Sequence, residues 1–202
     1  MRKAALPALA LALVSLSAAA QETKPLTDPA MAGLRPVYGR VKDINIRAAE
    51  KMPEENYGFK PTPEVKTFGQ FVGHLADSNV AICKLGLGEP FKVNDENEKT
   101  KTSKADLVKA LKDSYAFCDK VMAMSDADLG KAMKFFGADS SRFASAGLVI
   151  GHGFEHYGNM VTYMRIKGLV PPSSETPPAK PAEKAEAKTE AQTETKPAAA
   201  KK

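Results

Sequence analysis

Two of the three histidines in this 202-residue chain stand four positions apart. They are His152 and His156, in the stretch Gly151-His152-Gly153-Phe154-Glu155-His156-Tyr157-Gly158-Asn159-Met160. On an α-helix that spacing puts both on one face, about one turn apart, with Cβ atoms roughly 6 Å from each other. Two neutral imidazoles so placed can share a divalent metal ion. The third, His74, lies far upstream in another segment of helical pattern. Three imidazole nitrogens suit zinc or nickel and leave a coordination position open for a small ligand. The competing reading is three hydrogen-bonded core histidines, because an i, i+4 pair alone is a weak motif.

The same stretch matches H-x-x-E-H, in which the glutamate would activate water at a peptidase metal. That chemistry needs a further carboxylate ligand downstream. Here only Glu175 and the glutamates of a low-complexity tail follow. Gly153 also weakens a helix meant to be rigid. Glu155 is therefore read as a surface residue or one standing behind the ligands.

The elements that must position these side chains follow from periodicity. A first helix to about Met52 carries Val37, Val41, Ile44, Ala48 and Met52 at helical spacing, with Pro36 near its first turn and Pro53 as its stop. A proline-punctuated loop follows, in which Tyr57 and Phe59 plug one end of a bundle or wall a pocket. The second helix starts at Thr67, with Gln70 completing a capping box, and runs to about Leu85. It is apolar nearly all round, so it is buried, and His74 sits on its Phe71, Ser78 and Ala81 face. Residues 91–102 read as a charged loop. A third helix opens at Ser103 with Leu107, Leu111, Ser114, Cys118 and Val121 inward, and a short helix from Ser125 reaches about Met133. Residues 134–140 read as irregular, with Phe135 and Phe136 buried. The last helix begins near Ser140 and ends at Gly168, with Val149, His152, His156, Met160 and Tyr163 in one stripe. No strand signal stands out, and the expected fold is all-α, a four-helix bundle.

The ends differ from the middle. Residues 1–20 read as a signal peptide: Arg2 and Lys3, an apolar run from Ala4 to Leu16, then Ala18-Ala19-Ala20 before Gln21. The run is too short for a transmembrane anchor. Residues 21–35 read as a linker and 36–172 as the bundle. Residues 173–202, rich in Ala, Lys, Pro and Glu, read as a disordered tail that cannot bury enough apolar surface to order itself. The formal charge is +5, but the leader carries two basic residues and the tail six Lys against five Glu, which leaves +2 for the folded part. That is no footprint for nucleic acid. Export places the chain in the periplasm, where Cys83 and Cys118, the only cysteines, meet an oxidising compartment. A disulfide between them and two buried thiols are both compatible with their apolar surroundings.

Three pieces of the chain resemble the DinB-like, damage-inducible family. They are Met52-Pro53-Glu54-Glu55-Asn56-Tyr57 with Phe59-Lys60-Pro61; Phe68-Gly69-Gln70-Phe71-Val72-Gly73-His74-Leu75-Ala76-Asp77; and His152 to Tyr157 with Tyr163-Met164-Arg165 and Gly168-Leu169-Val170-Pro171-Pro172-Ser173. Together they span about residues 50–173. The resemblance implies a four-helix bundle of unusual helix order and a metal held by His74, His152 and His156. Asn159 stands where the family often has Gln. Some relatives use the metal to activate a low-molecular-weight thiol for transfer to an electrophile, and export is a departure from their mainly cytosolic setting.

The expected function is an exported metal-dependent enzyme, of thiol-transferase or hydrolase type, acting on a small-molecule thiol or electrophile. Tyr57, Tyr157 and Asn159 are the candidates for residues behind the ligands. The alternative is a non-enzymatic envelope or stress-related binding protein with structural histidines. A homodimer is compatible with a bundle, though no residue specifies one.

Overall fold

The computed structural model describes residues 25–175. Four long helices make the body: α1 (Pro29–Lys51), α2 (Phe68–Leu87), α4 (Lys104–Met122) and α6 (Phe143–Ile166). Shorter pieces join them: α3 (Glu96–Thr100), α5 (Asp126–Leu129), and a hairpin of β1 (Ala132–Phe135) and β2 (Ala138–Ser141). Single 3-10 turns lie at Glu54–Asn56 and Pro172–Ser174. The expected four-helix bundle is present.

Its helix order explains the long connections. Helices α1 and α2 each pack against α4 and α6, so α1 and α2 face each other across the diagonal. The chain from 52 to 67 must cross one end of the bundle. The α5–hairpin segment joins α4 to α6, also diagonal partners. The consequence for function is that α2 and α6 are neighbours, which brings His74 to the later pair.

The core runs through all four helices. Ile44, Leu75, Leu107, Leu111, Tyr115, Val149, Met160 and Met164 are all buried. Each such aliphatic side chain contributes roughly 1.5–3 kcal/mol on burial. Cys83 and Cys118 lie in this core as a disulfide that ties α2 to α4, with Cα atoms 5.3 Å apart, ordinary spacing for the bond.

Several boundaries differ from expectation. Helix α1 begins at Pro29, inside the stretch read as linker. The reason is a cap supplied from afar. The Asp126 carboxylate accepts from the backbone N–H groups of Ala30 and Met31, and Asp28 Oδ1 accepts from the Asp126 N–H in return. The two helix starts thus satisfy each other's free amides. In the α1 stripe Val41, Ile44, Ala48 and Met52 are buried as expected, but Val37 is exposed and Tyr38 takes the inward position beside it.

The connection between α4 and α6 holds the second correction. The short helix stops at Leu129, and the residues read as irregular pair as a hairpin, Phe135 opposite Ala138. Phe136 and Gly137 both have positive φ, the type I′ geometry that matches strand twist. Phe136 is 72% exposed rather than buried, with the rings of Phe91 and Phe135 packed edgewise against it. The supposed loop 91–102 contains α3. At the far end, residues assigned to the tail are packed: Ser173 N–H donates to the Tyr157 hydroxyl, and Glu175 pairs with Arg47 and Lys51.

The predicted capping box of α2 is present in full, Thr67 Oγ1 accepting from Gln70 N–H and Gln70 Oε1 from Thr67 N–H. Gly168 takes the left-handed conformation after α6, as its position implied. No helix among the described residues is long and apolar enough to cross a membrane. The stretch read as a leader, 1–20, and the part of the expected tail beyond 175 lie outside the described residues.

Candidate metal centre

His74 comes from the second turn of α2, and His152 and His156 from the middle of α6. One ring nitrogen from each of the three lies within 4.8 Å of the others. Ring centroids are 4.4 Å apart for His152 and His156, 4.9 Å for His74 and His156, and 5.2 Å for His74 and His152. The Nε2 atoms of His152 and His156 are 3.0 Å apart.

The remaining nitrogens say which atoms are free to bind. His74 Nδ1 is 2.9 Å from Glu98 Oε2, so it carries the proton and donates to the carboxylate. His156 Nδ1 is 3.2 Å from Asn159 Oδ1 and donates likewise. In both rings Nε2 is thereby left as the unprotonated nitrogen, and that of His156 faces His152 Nε2. The Nδ1 of His152 is buried with no hydrogen-bond partner among the described residues. All three rings are partly buried.

Burial sets the charge state. It pushes the His152 ring down to about 4, with the neighbouring His156 and His74 acting in the same direction. His156 is also lowered by burial, against the opposing effect of its Asn159 hydrogen bond. Neutral rings at neutral pH are what metal ligation requires.

Around the rings the walls are unlike. Phe71 packs on His156 at 5.4 Å and on Tyr163 at 5.5 Å, and Tyr163 meets Phe59. Tyr163 also donates its hydroxyl to the Lys66 carbonyl, closing the α2 entry against α6. Opposite, Glu98 from α3 pairs with Lys66. Asp95 adds a carboxylate oxygen within 4.8 Å of the ligating atoms of His74 and Glu98.

Gly153 sits between the two α6 histidines for a packing reason. A Cβ there would lie 2.8 Å from Val41 Cγ2, so only glycine lets α6 approach α1 this closely. Asn45 uses the approach to donate to the Gly153 carbonyl at 3.1 Å.

Of the three residues expected behind the ligands, only Asn159 touches one. Tyr57 instead donates to the Ala49 carbonyl at 2.6 Å and stacks edgewise on Phe68. It lines a crevice together with Gln70, Glu98 and Leu107. Tyr157 is taken up in holding Ser173. Glu155 is exposed. Glu98 and Asp95 were missed because they stand in a charged stretch with no periodic signal.

The sequence model of the DinB superfamily matches residues 40–160, more than half of the chain. The chain belongs to the DinB superfamily. Solved DinB-like structures share its fold. One from Bacillus cereus aligns with a TM-score of 0.60 at 19% identity, over 70% of this chain and 95% of that one. A second, YjoA from Bacillus subtilis, gives 0.54 at 20% identity, over 68% and 93%. YfiT from Bacillus subtilis gives 0.56 at 15% identity, over 75% and 95%, and is described as a probable metal-dependent hydrolase with an unusual four-helix bundle topology. No curated protein matches the chain. At these identities the likeness concerns the fold. In this DinB chain α1 and α2 lie on one diagonal of the bundle and α4 and α6 on the other.

Proposed function

We propose that this DinB protein is an exported, divalent-metal-dependent enzyme of hydrolase or thiol-transferase type, centred on His74, His152 and His156. The observation that carries the reading is the convergence of three ring nitrogens within 4.8 Å, two of them on rings whose other nitrogen is already engaged. Three nitrogen donors from two helices fit zinc or nickel with one position open. An ion held there would supply Lewis acidity to a small nucleophile or to a substrate oxygen.

The chain's own residues do the rest. Phe71, Phe59 and Tyr163 exclude water from one flank of the site. Glu98 and Asn159 hold two of the imidazoles in the tautomer that frees Nε2. The hydrolase alternative draws on YfiT, whose description names that activity. Export is supported by the leader-like residues 1–20 and by the Cys83–Cys118 bond, which suits an oxidising compartment.

The reading is tested with metal-loaded protein on two panels, carboxyl and phosphoryl esters for hydrolysis and thiol–electrophile pairs for transfer. Turnover on one panel that is lost on chelation and in His156→Ala is expected. Stoichiometric metal with no turnover on either would instead favour a binding protein. That second reading has one observation for it. The 3.0 Å approach of the two Nε2 atoms is also an N–H···N hydrogen bond within a structural cluster. Such a bond still leaves His152 Nδ1 buried and unsatisfied, a cost of about 1–3 kcal/mol. Periplasmic fractionation and the mass of the mature N-terminus test export.

A further inference from the structure

Helix α3 is a five-residue strap laid across α2, and several interactions fix where it lies. Gly73 is the contact: a Cβ there would stand 2.7 Å from the Cα and N of Glu98. Asp77, one turn further along α2, caps the strap from outside. Its Oδ1 accepts from the Asn97 N–H and side-chain amide at 3.2 and 2.6 Å, and its Oδ2 from the Glu98 N–H at 3.0 Å. The strap's own leading residue, Asp95, makes no side-chain cap. Three residues of α2, Gly73, His74 and Asp77, thus engage one turn of α3.

What the strap delivers is the Glu98 carboxylate. Its side chain retains only 12% of its surface, so its charge needs partners. It has two, one per oxygen: Lys66 on Oε1 and His74 Nδ1 on Oε2. The three histidines are therefore backed unequally. His74 has a carboxylate, His156 the neutral amide of Asn159, and His152 nothing. A carboxylate behind an imidazole fixes its tautomer and raises its basicity as a ligand, and losing such a partner typically costs about 10–100-fold in metal affinity.

We infer that Glu98 is the positioning residue of the metal centre, orienting His74 with Nδ1 protonated and making it the strongest of the three donors. This rests on the three-histidine reading of the site. Glu98 acts through His74 and is not itself a ligand. Lys66 fixes the carboxylate, and Asp77 with Gly73 fixes the backbone that carries it.

The test has two arms on the mature chain. In the metal-free protein, 15N NMR of the imidazoles reads the His74 tautomer. The expected result is Nδ1–H in the wild type and in Glu98→Gln, whose amide oxygen still accepts, with a tautomer mixture in Glu98→Ala. In the second arm, Co2+ titration followed by its visible spectrum gives affinity. About 10–100-fold weaker binding is expected for Glu98→Ala, a smaller loss for Glu98→Gln, and no change for Glu96→Ala on the exposed side of α3. Circular dichroism checks that each variant is folded; if Glu98→Ala is not, the affinity arm on Glu98→Gln carries the test, and wild-type Co2+ affinity there overturns the inference. An unaltered tautomer and unaltered affinity in Glu98→Ala would overturn the inference. So would Co2+ that survives His152→Ala but is lost in Glu98→Ala, since the ion would then sit on His74, Asp95 and Glu98. A wild type that binds no Co2+ refutes the three-histidine reading, and the tautomer arm still decides the role of Glu98.

Discussion

The Nε2 atoms of His152 and His156 stand 3.0 Å apart on consecutive turns of α6. Two positive imidazolium rings cannot share that separation in a half-buried site. The cluster is therefore built for neutral rings.

That fixes the sign of the pH dependence. The His152 ring is held at about 4 in the fold, against 6.5 ordinarily. Below 6.5 the unfolded chain binds a proton that the folded chain does not. Stability of the metal-free protein should be full above pH 6.5 and fall as the pH drops from 6.5 toward 4, by on the order of 2–3 kcal/mol. Urea titrations at several pH values measure it. His152→Gln should flatten the dependence over that window.

Glycines in α6 should answer differently to alanine. A Cβ added at Gly151 would meet nothing within 4 Å, whereas one at Gly153 would meet Val41 at 2.8 Å. Gly151→Ala should stabilise by about 0.5–1 kcal/mol through helix propensity. Gly153→Ala gains the same propensity but overpacks the α1 contact, and should come out destabilising by about 1–2 kcal/mol. It should also weaken metal binding, because the residue lies between two ligands. Thermal melts of the two variants, with and without zinc, compare them directly.

The Cys83–Cys118 bond closes a loop of sequence separation 35 between α2 and α4. Chain entropy assigns it roughly 3–4 kcal/mol. Cys83→Ala with Cys118→Ala should lower the urea midpoint accordingly. Metal stoichiometry should survive, since neither sulfur belongs to the histidine cluster.

Much of the centre was legible because helices repeat. The i, i+4 spacing of His152 and His156, and the apolar stripe from Val149 to Tyr163, determined a shared face. The Thr67–Gln70 box located α2 for a local reason, since the cap lies three residues from its partner. What sequence did not show depends on partners far apart in the chain. Helix α1 starts at Pro29 because Asp126 caps it, and α3 exists because Asp77 caps it. Neither signal is visible in a window of a few residues. The hairpin escaped because Phe136-Gly137 is an unusual pair for a type I′ turn and its strands are four residues each. Tyr57 and Tyr157 looked like site residues by type, but their hydroxyls are committed to Ala49 and Ser173.

The most direct test of the central claim is the metal content of the mature protein, by elemental analysis after gentle purification, for the wild type, His74→Ala and His156→Ala. One equivalent of zinc or nickel per chain in the wild type, lost in both variants, is the predicted result. A metal-free wild type that also fails to take up added zinc or nickel would contradict it.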